Sequence, residues 1–466
     1  MIEQDKERPN ILYIFTDQQA ADAMSCAGNA HINTPGIDSI AGSGVRFDSA
    51  YSTFPLCTPN RASMFTGKMP SELGIHRNAV PLPEEGRQQE MGWLFRNAGY
   101  ETAYSGKWHL PGQSMEEGHG FDIISGMDDE GASQASVEFL KQSHDNPFLL
   151  VMSFWQPHGC CPFHRFPDVR ECRKLGLSHY GLTSLTDADH DFDWPEDAYE
   201  PSFLERCPPL PDNFAPSESE PEVVRKIRNK HRDMPPERRP HFWQPQERIN
   251  AVKDWPDEMF RYYRWAYYRL VEYVDSRVVQ ILDALREGGH ADNTLVVFSS
   301  DHGDMLGAHR MVAKNVFYEE AVRTPLVMSC PGRVKSGHVV ESALVSNGLD
   351  LLPTFCDYAG ITPPPGLEGR SLRPLAEGRV PDDWRQDLLI EVSPGMGNGR
   401  LLHTGRYKYA AYDSGEHPEE LYDLQQDPGE LKNLYADPEY RQIREECRER
   451  LTKRLEDAGA VLHSAN

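Results

Sequence analysis

ILYIFTDQ, residues 11–18, is a short apolar run that stops abruptly at an acid and an amide. Five residues this apolar, bounded by polar ones, predict a buried strand with Asp17 and Gln18 at its carboxyl end. TLVVFSSDH (294–302) repeats the arrangement, with Asp301 and His302 as the terminal pair. FLLVMSF (148–154) is a third such run and leads to His158, and ETAYS (101–105) is a weaker fourth that leads into Gly106, Lys107 and His109. In an open parallel sheet, ligands bind in the crevice outside the carboxyl ends of the strands, so four ends carrying these groups predict one shared site.

Helical patterns lie between the strands, at 34–44, 91–99 and 267–289. Alternation of the two predicts an α/β fold, a large mixed but mostly parallel sheet sandwiched by helices. The segment from about 160 to 256, rich in Pro, His, Trp and charge, breaks this rhythm and reads as a long surface insertion. Beyond about residue 375, LLHTGRYKYAAY (401–412) and EELYDL (419–424) predict antiparallel strands, followed by a charged helix at about 437–457. The expected organisation is therefore a main domain over 1–375 carrying the insertion, and a smaller C-terminal antiparallel-sheet subdomain over 376–466.

The chain has 466 residues, with 72 acidic against 48 basic side chains and a net charge of -24. That balance argues against general nucleic-acid binding, and an anionic substrate needs a local basic pocket. No segment approaches the roughly 18 apolar residues of a membrane span. The charged start MIEQDKERPN is unlike a signal peptide, so the chain as it stands reads as soluble and cytoplasmic, or as periplasmic or secreted after removal of a leader. Nine cysteines at irregular spacings form neither a disulfide framework nor a CxxC zinc pattern, and adjacent Cys160 and Cys161 read as reduced and structural.

Asp17, Gln18, Asp301 and His302 offer mainly oxygen, which suits Ca²⁺ or Mg²⁺, while the imidazole leaves room for Mn²⁺ or Zn²⁺. Lys107 and His109, two apart on an extended segment, would point to the same side. Lys314 follows the second ligand pair closely enough to swing into the same crevice. FPLCTPNRASMFTG (54–67) adds a cysteine: Thr58, Pro59 and Asn60 read as a turn, with a helix beginning at Ala62. Cys57 would then lie beside a helix N-terminus, where anions bind, and Arg61 adds positive charge.

The run from Cys57 to Gly67 resembles the signature of type I sulfatases, C-x-P-x-R-A-x-x-x-T-G, within the alkaline-phosphatase superfamily. NILYIFTDQQ (10–19), SGKWHL (105–110), QPHG (156–159), SSDHGDMLGAHR (299–310) and LYDLQQDPGELKNL (421–434) resemble further family segments, in family order across almost the whole chain. Gln18 and His302 depart from the aspartate and asparagine of many sulfatases, and this pairing looks like choline sulfatases and phosphonate monoester hydrolases. The resemblance implies oxidation of Cys57 to formylglycine by a maturation enzyme. It also implies one divalent cation, with Ca²⁺ the first choice and Mg²⁺ or Mn²⁺ the alternatives, held by Asp17, Gln18, Asp301, His302 and the residue-57 side chain. One hydroxyl of the aldehyde hydrate would attack sulfur while Arg61, Lys107 and Lys314 offset charge on the transferring group. His158 would protonate the leaving alcohol, and His109 would take the proton that lets the aldehyde reform. Asp304 and His309 are further candidates close by in sequence.

The implied activity is hydrolysis of a sulfate ester on a carbohydrate, with a choline sulfatase or a phosphonate monoester or phosphodiester hydrolase as the alternative. A non-catalytic binding protein for sulfated glycans would be expected to have lost the cysteine or a ligand, and none is missing. Aromatics of the insertion (Phe163, Phe166, Trp194, Trp243) could cage a quaternary ammonium. Its basic run, Arg225, Lys226, Arg228, Lys230, Arg232, Arg238 and Arg239, is expected either to be a solvated face or to bind anionic groups on neighbouring sugars. A second place for specificity is the segment around His403, Arg406 and Lys408.

Overall fold

Strict alternation along the first strand separates two cores. The computed structural model describes residues 8–111, 119–160, 201–217, 219–229, 252, 255–393 and 398–457. In strand β1 (Asn10–Asp17), Ile11, Tyr13 and Phe15 enter one apolar cluster while Leu12 and Ile14 enter another on the opposite face. A strand buried on both faces needs no polar side, which is why this sequence reads as a continuous apolar run.

The remaining strands of the large sheet are β2 (Val45–Phe47), β4 (Glu101–Gly106), β5 (Asp122–Ser125), β6 (Phe148–Pro157), β7 (Thr294–Ser300), β8 (Leu326–Ser329) and β9 (His338–Val340), with a short β3 (Ala50–Tyr51) outside it. Their order is β5-β4-β6-β1-β7-β8-β2-β9. β5, β4, β6, β1 and β7 pair in parallel, and β8 runs against both of its neighbours. All five parallel strands therefore end at one edge, as the apolar runs predict.

Helices α1 (Pro35–Ser43), α2 (Cys57–Thr66), α3 (Met91–Asn97) and α4 (Asp129–Leu140) alternate with the strands, and α5 (Glu222–Arg228), α6 (Asp257–Glu287), α7 (Glu319–Val322), α8 (Asn347–Ala359), α9 (Arg373–Ala376) and α10 (Arg441–Asp457) follow. α2, α3 and α8 cover the Tyr13 face through Met64, Phe65, Phe95, Leu351 and Phe355. α1, α4 and α6 cover the other through Ile37, Leu140, Val274, Val278 and Ile281. Each such fully buried side chain contributes roughly 1.5–3 kcal/mol. α6 starts ten residues before the predicted 267, because its first turns bury Phe260 and Tyr263 in a separate cluster with Trp255 and Phe203.

β10 (Val345–Ser346) pairs with β3, and β11 (Leu388–Val392), β12 (Gly399–His403), β13 (Tyr407–Tyr412) and β14 (Glu419–Asp423) form the expected small antiparallel sheet. Its two faces differ: Leu401, Ala410 and Tyr422 pack on Phe317 and Val322 beside α7, while Leu402, Tyr409 and Leu421 pack on α10.

Candidate active site

Asp17 closes β1 and Asp301 follows β7, and the register Thr16↔Ser300 sets the two acids side by side. Both are fully buried. α2 is then driven against them from the Tyr13 face. It begins at Cys57 itself, not at the predicted Ala62, and Thr58 to Asn60 form its first turn. Pro59 fits there because backbone N–H groups in the first turn have no intrahelical acceptor. The Asn60 side chain ties this turn down, donating to the Asp301 carbonyl at 2.5 Å and accepting from the Thr53 N–H and hydroxyl at 2.9 and 2.8 Å.

Ligand atoms of Asp17, Cys57, Asp301 and His302 all lie within 4.8 Å of one another, and all four residues are buried. Cys57 Sγ is 3.2 Å from His302 Nε2 and 3.5 Å from Asp17 Oδ1. His302 Nδ1 faces the Gly303 carbonyl at 2.9 Å, an arrangement that leaves the Nε2 lone pair to the group. Gln18, at φ 74°, donates its backbone N–H to Asp301 Oδ1 at 3.0 Å, and Tyr267 donates to its carbonyl at 2.6 Å. Its side-chain Nε2 donates to Asp304 at 2.5 Å, which turns Oε1 the other way, toward Lys314 Nζ. Two carboxylates, an amide oxygen, one imidazole nitrogen and the residue-57 side chain form a donor set suited to a divalent cation that prefers oxygen.

Positive charge surrounds the acids. Lys107 Nζ lies 2.6 Å from Asp17 Oδ2, with its ammonium 4.2 Å from the centre of the Trp155 ring. Burial opposes ionisation of Asp17, yet Lys107, His158, Arg61 and Lys314 hold its carboxyl well below the usual range. Burial and Asp17 push the Cys57 thiol up, and Lys314, Lys107 and His302 outweigh them, so that it too lies well below its usual value.

Arg61 has a different place from the one expected of a group facing a substrate. It is wholly buried, and its Nε donates to Asp301 at 2.8 Å and its Nη2 to Asp17 at 3.0 Å. Nη1 donates to the Lys107 carbonyl at 2.6 Å and to Ser153 Oγ at 2.9 Å, over the Phe15 ring. Its donors are directed at the protein, and it works as a clamp between the two acids.

Lys107 and His109 also arrive by another route than the extended segment predicted from their spacing. Gly106, at φ 96°, turns the chain where a Cβ would meet the Ser153 carbonyl at 2.0 Å, and His109 is left-handed at φ 57°. The His109 carbonyl accepts from Thr58 Oγ1 at 2.9 Å, which seats the residue next to Cys57. His109 Nδ1 is buried with no partner among the described residues. Leu56, His109, Trp155, His158 and Lys314 are half-buried and form the rim.

Trp155 is a rim residue that sequence reasoning missed. It packs edge-on to His158, ring centres 5.2 Å apart, and Asp129 accepts its backbone N–H at 2.6 Å. Burial pushes Asp129 up to about 7. The available signal was Trp155 lying just beyond the predicted strand, three residues before His158. His309 lies elsewhere: buried, stacked on Tyr318 at 3.8 Å, and held neutral by burial and by the charges of Lys408 and Arg228, with its pKa down at about 3. His403, Arg406 and Lys408 are not a specificity surface either. Lys408 is buried between Glu319 at 3.0 Å and Glu430 at 2.6 Å, Arg406 grips Asp423, and His403 packs on Tyr51. In the basic run, Lys226 pairs with Glu222 and Arg228 with Glu220, while Lys230, Arg232, Arg238 and Arg239 lie outside the described residues, as do Phe163, Phe166, Trp194, Trp243 and Cys161. Cys160 is buried against the Tyr263 hydroxyl at 3.1 Å.

The sulfatase family's sequence model matches residues 9–361, the span that carries Asp17, Gln18, Cys57, Arg61, Lys107, His109, His158, Asp301, His302 and Lys314. The chain belongs to the sulfatase family. It is accordingly a sulfate-ester hydrolase, and a second model, the C-terminal part of N-sulphoglucosamine sulphohydrolase, matches residues 307–457 of this sulfatase. An N-acetylglucosamine-6-O-sulfatase of Bacteroides thetaiotaomicron is 30% identical to it over 428 residues, covering 82% of this chain and 74% of its own. A Δ4,5-hexuronate-2-O-sulfatase of the same organism is 30% identical over 473 residues, covering 96% and 88%. The solved structure of a 2-O GAG sulfatase superposes with a TM-score of 0.79 at 30% identity, covering 97% of this sulfatase and 93% of that chain. Among the described residues no helix is long and apolar enough to cross a membrane.

Proposed function

We propose that the enzyme removes sulfate from an O-sulfated carbohydrate, using a formylglycine made from Cys57 and one calcium ion held by Asp17, Gln18, Asp301, His302 and residue 57. The observation that carries this reading is the Cys57 side chain, at the first position of α2, within 4.8 Å of two buried carboxylates and an imidazole. A carbohydrate substrate is supported by the two relatives at 30% identity, which are named for sulfated amino-sugar and uronate substrates. The Sγ atom stands where an aldehyde-hydrate oxygen would be after maturation. The cation would polarise the sulfate and favour ionisation of the attacking hydroxyl.

The chain's own residues supply the rest. Lys107 and Lys314 place ammonium charge beside Asp17 and Gln18, where negative charge would gather on the transferring group. Arg61 fixes the spacing of the two acids and touches no substrate. His158, on the rim, donates a proton to the departing alcohol oxygen, and His109 accepts one from the residue-57 hydroxyl as the aldehyde reforms. Residues 1–375 carry all these groups, and 376–466 is proposed as the second unit.

His158→Ala is expected to slow an alkyl or sugar sulfate about 10²–10⁴-fold more than an activated aryl sulfate, because only a poor leaving group needs the proton. Steady-state kinetics on both substrates decide it, and equal losses would assign His158 to binding. Substrate class is tested by sulfate release from desalted sulfated mono- and disaccharides, with choline sulfate and a phosphonate monoester alongside. The Gln18 and His302 pairing favours keeping these last two in the screen. Preference for either over every sugar would replace the carbohydrate reading.

A further inference from the structure

We propose that Asp304 decides which end of the Gln18 amide faces the cation, and that the same carboxylate fixes the loop bearing Lys314. The proposal rests on the reading of Asp17, Gln18, Asp301 and His302 as a cation site. A carboxylate ligand has two equivalent oxygens. An amide does not: turned the wrong way, it aims two N–H donors at the ion. Glutamine at position 18 therefore requires an acceptor on its far side.

Asp304, fully buried, is that acceptor, with its Oδ2 2.5 Å from Gln18 Nε2. Among the described residues it also accepts from the Tyr263 hydroxyl at 2.7 Å and the Ala313 N–H at 3.2 Å on Oδ2, and from the Leu306 N–H at 2.8 Å on Oδ1. With N–H and O–H groups converging on these two oxygens, the end of Gln18 that meets them is the NH₂, and Oε1 points away, to Lys314 Nζ.

The Ala313 contact is one residue from Lys314. The loop from Asp304 to Lys314 is wound unusually, with positive φ at Leu306 (47°), His309 (52°), Arg310 (52°) and Ala313 (69°). Such backbone persists only where its surroundings over-determine it. Here the Asp304 carboxylate bridges both ends of the loop, helped by Met305 N–H to the Ala313 carbonyl at 2.8 Å. Asp304 is thus a positioning residue for two groups at once, acting through Gln18 and through the loop, and Tyr263 on α6 sets its angle.

The test is a calcium titration against a competing chelator dye, read together with the calcium-induced rise in Tm, on the full chain and three variants. Asp304→Asn is expected to weaken calcium binding about 10–100-fold, the usual cost of losing an orienting partner behind a ligand. Gln18→Glu is expected to weaken it as well, because two carboxylates would then meet at the Asp304 contact. The double variant Gln18→Glu/Asp304→Asn restores one acceptor and one donor across that contact, and is expected to recover most of the affinity lost by either single change. A residue needed only for folding would not show this recovery. Calcium affinity unchanged in Asp304→Asn, or a double variant no tighter than the weaker single one, overturns the proposal while leaving the cation site standing. Failure of the wild type to bind calcium overturns the site reading and the proposal with it. Should Asp304→Asn not fold, Tyr263→Phe, which deletes one donor to the same carboxylate, decides instead: weakened calcium binding supports the proposal and unchanged binding overturns it.

Discussion

Cys57→Ala is expected to lose all turnover of sulfate esters while the protein keeps its fold. The residue is buried, sits at the first position of α2, and is small, so alanine fills most of its space and suits the helix. The expected cost in stability is within about 1 kcal/mol, the ordinary scale of a single substitution. Chemistry is another matter, since the proposed nucleophile is gone. Cys57→Ser separates attack from release: a serine hydroxyl can accept sulfate once, but it lacks the second hydroxyl needed to expel it. The serine variant should therefore release at most one equivalent of alcohol per enzyme from an aryl sulfate and then stop, as a burst without a steady state. Continued turnover by either variant would remove residue 57 from the reaction.

The second large effect concerns Arg61, and it is one of stability before activity. Arg61 bridges Asp17 and Asp301 with all three side chains fully buried. Removing one partner of a buried ionic group typically costs about 3–5 kcal/mol, because the remaining charges are left unpaired. Here two acids lose the same partner together, Asp17 being left with Lys107 and Asp301 with His302. Arg61→Ala is accordingly expected to lower the urea unfolding free energy by that amount in metal-free buffer, and calcium should return part of the loss by neutralising the same pair. Lys107→Ala provides the contrast, since Asp17 still keeps Arg61 after that change. An Arg61→Ala protein as stable as wild type without metal, with only its KM raised, would put Arg61 back at the substrate.

The four strand ends were legible because a strand buried on both faces is a run of apolar residues, and its terminal polar group stands out against it. β7 matches TLVVFSS from first residue to last. The convergence of Asp17 with Asp301 followed from that alone. What the sequence did not disclose is which way a side chain turns once it arrives. Arg61 reads like any basic residue near a nucleophile, and the burial that makes it a clamp depends on α2 packing against β1 and β7. Trp155 was hidden because β6 runs on to Pro157, past its predicted end, with Asp129 on α4 accepting the Trp155 and Gln156 N–H groups. Tyr263 and Tyr267, four apart on α6, carried the periodicity of a core helix, and nothing in that spacing distinguishes a hydroxyl that reaches Asp304 from one that fills space. Lys408 is a related case. Its burial among Glu319, Glu430 and the Phe317 carbonyl comes from the small sheet docking beside α7, a long-range event with no local pattern.

The central claim, that residue 57 acts as an aldehyde in a sulfate-ester hydrolase, is tested most directly by one correlation. Protein is prepared with graded amounts of maturation enzyme, the aldehyde fraction of the residue-57 peptide is measured by mass spectrometry, and sulfate release from a single substrate is measured on the same samples. The account predicts a straight line through the origin, with no activity in protein whose Cys57 is entirely thiol. Full activity in that thiol form would contradict it.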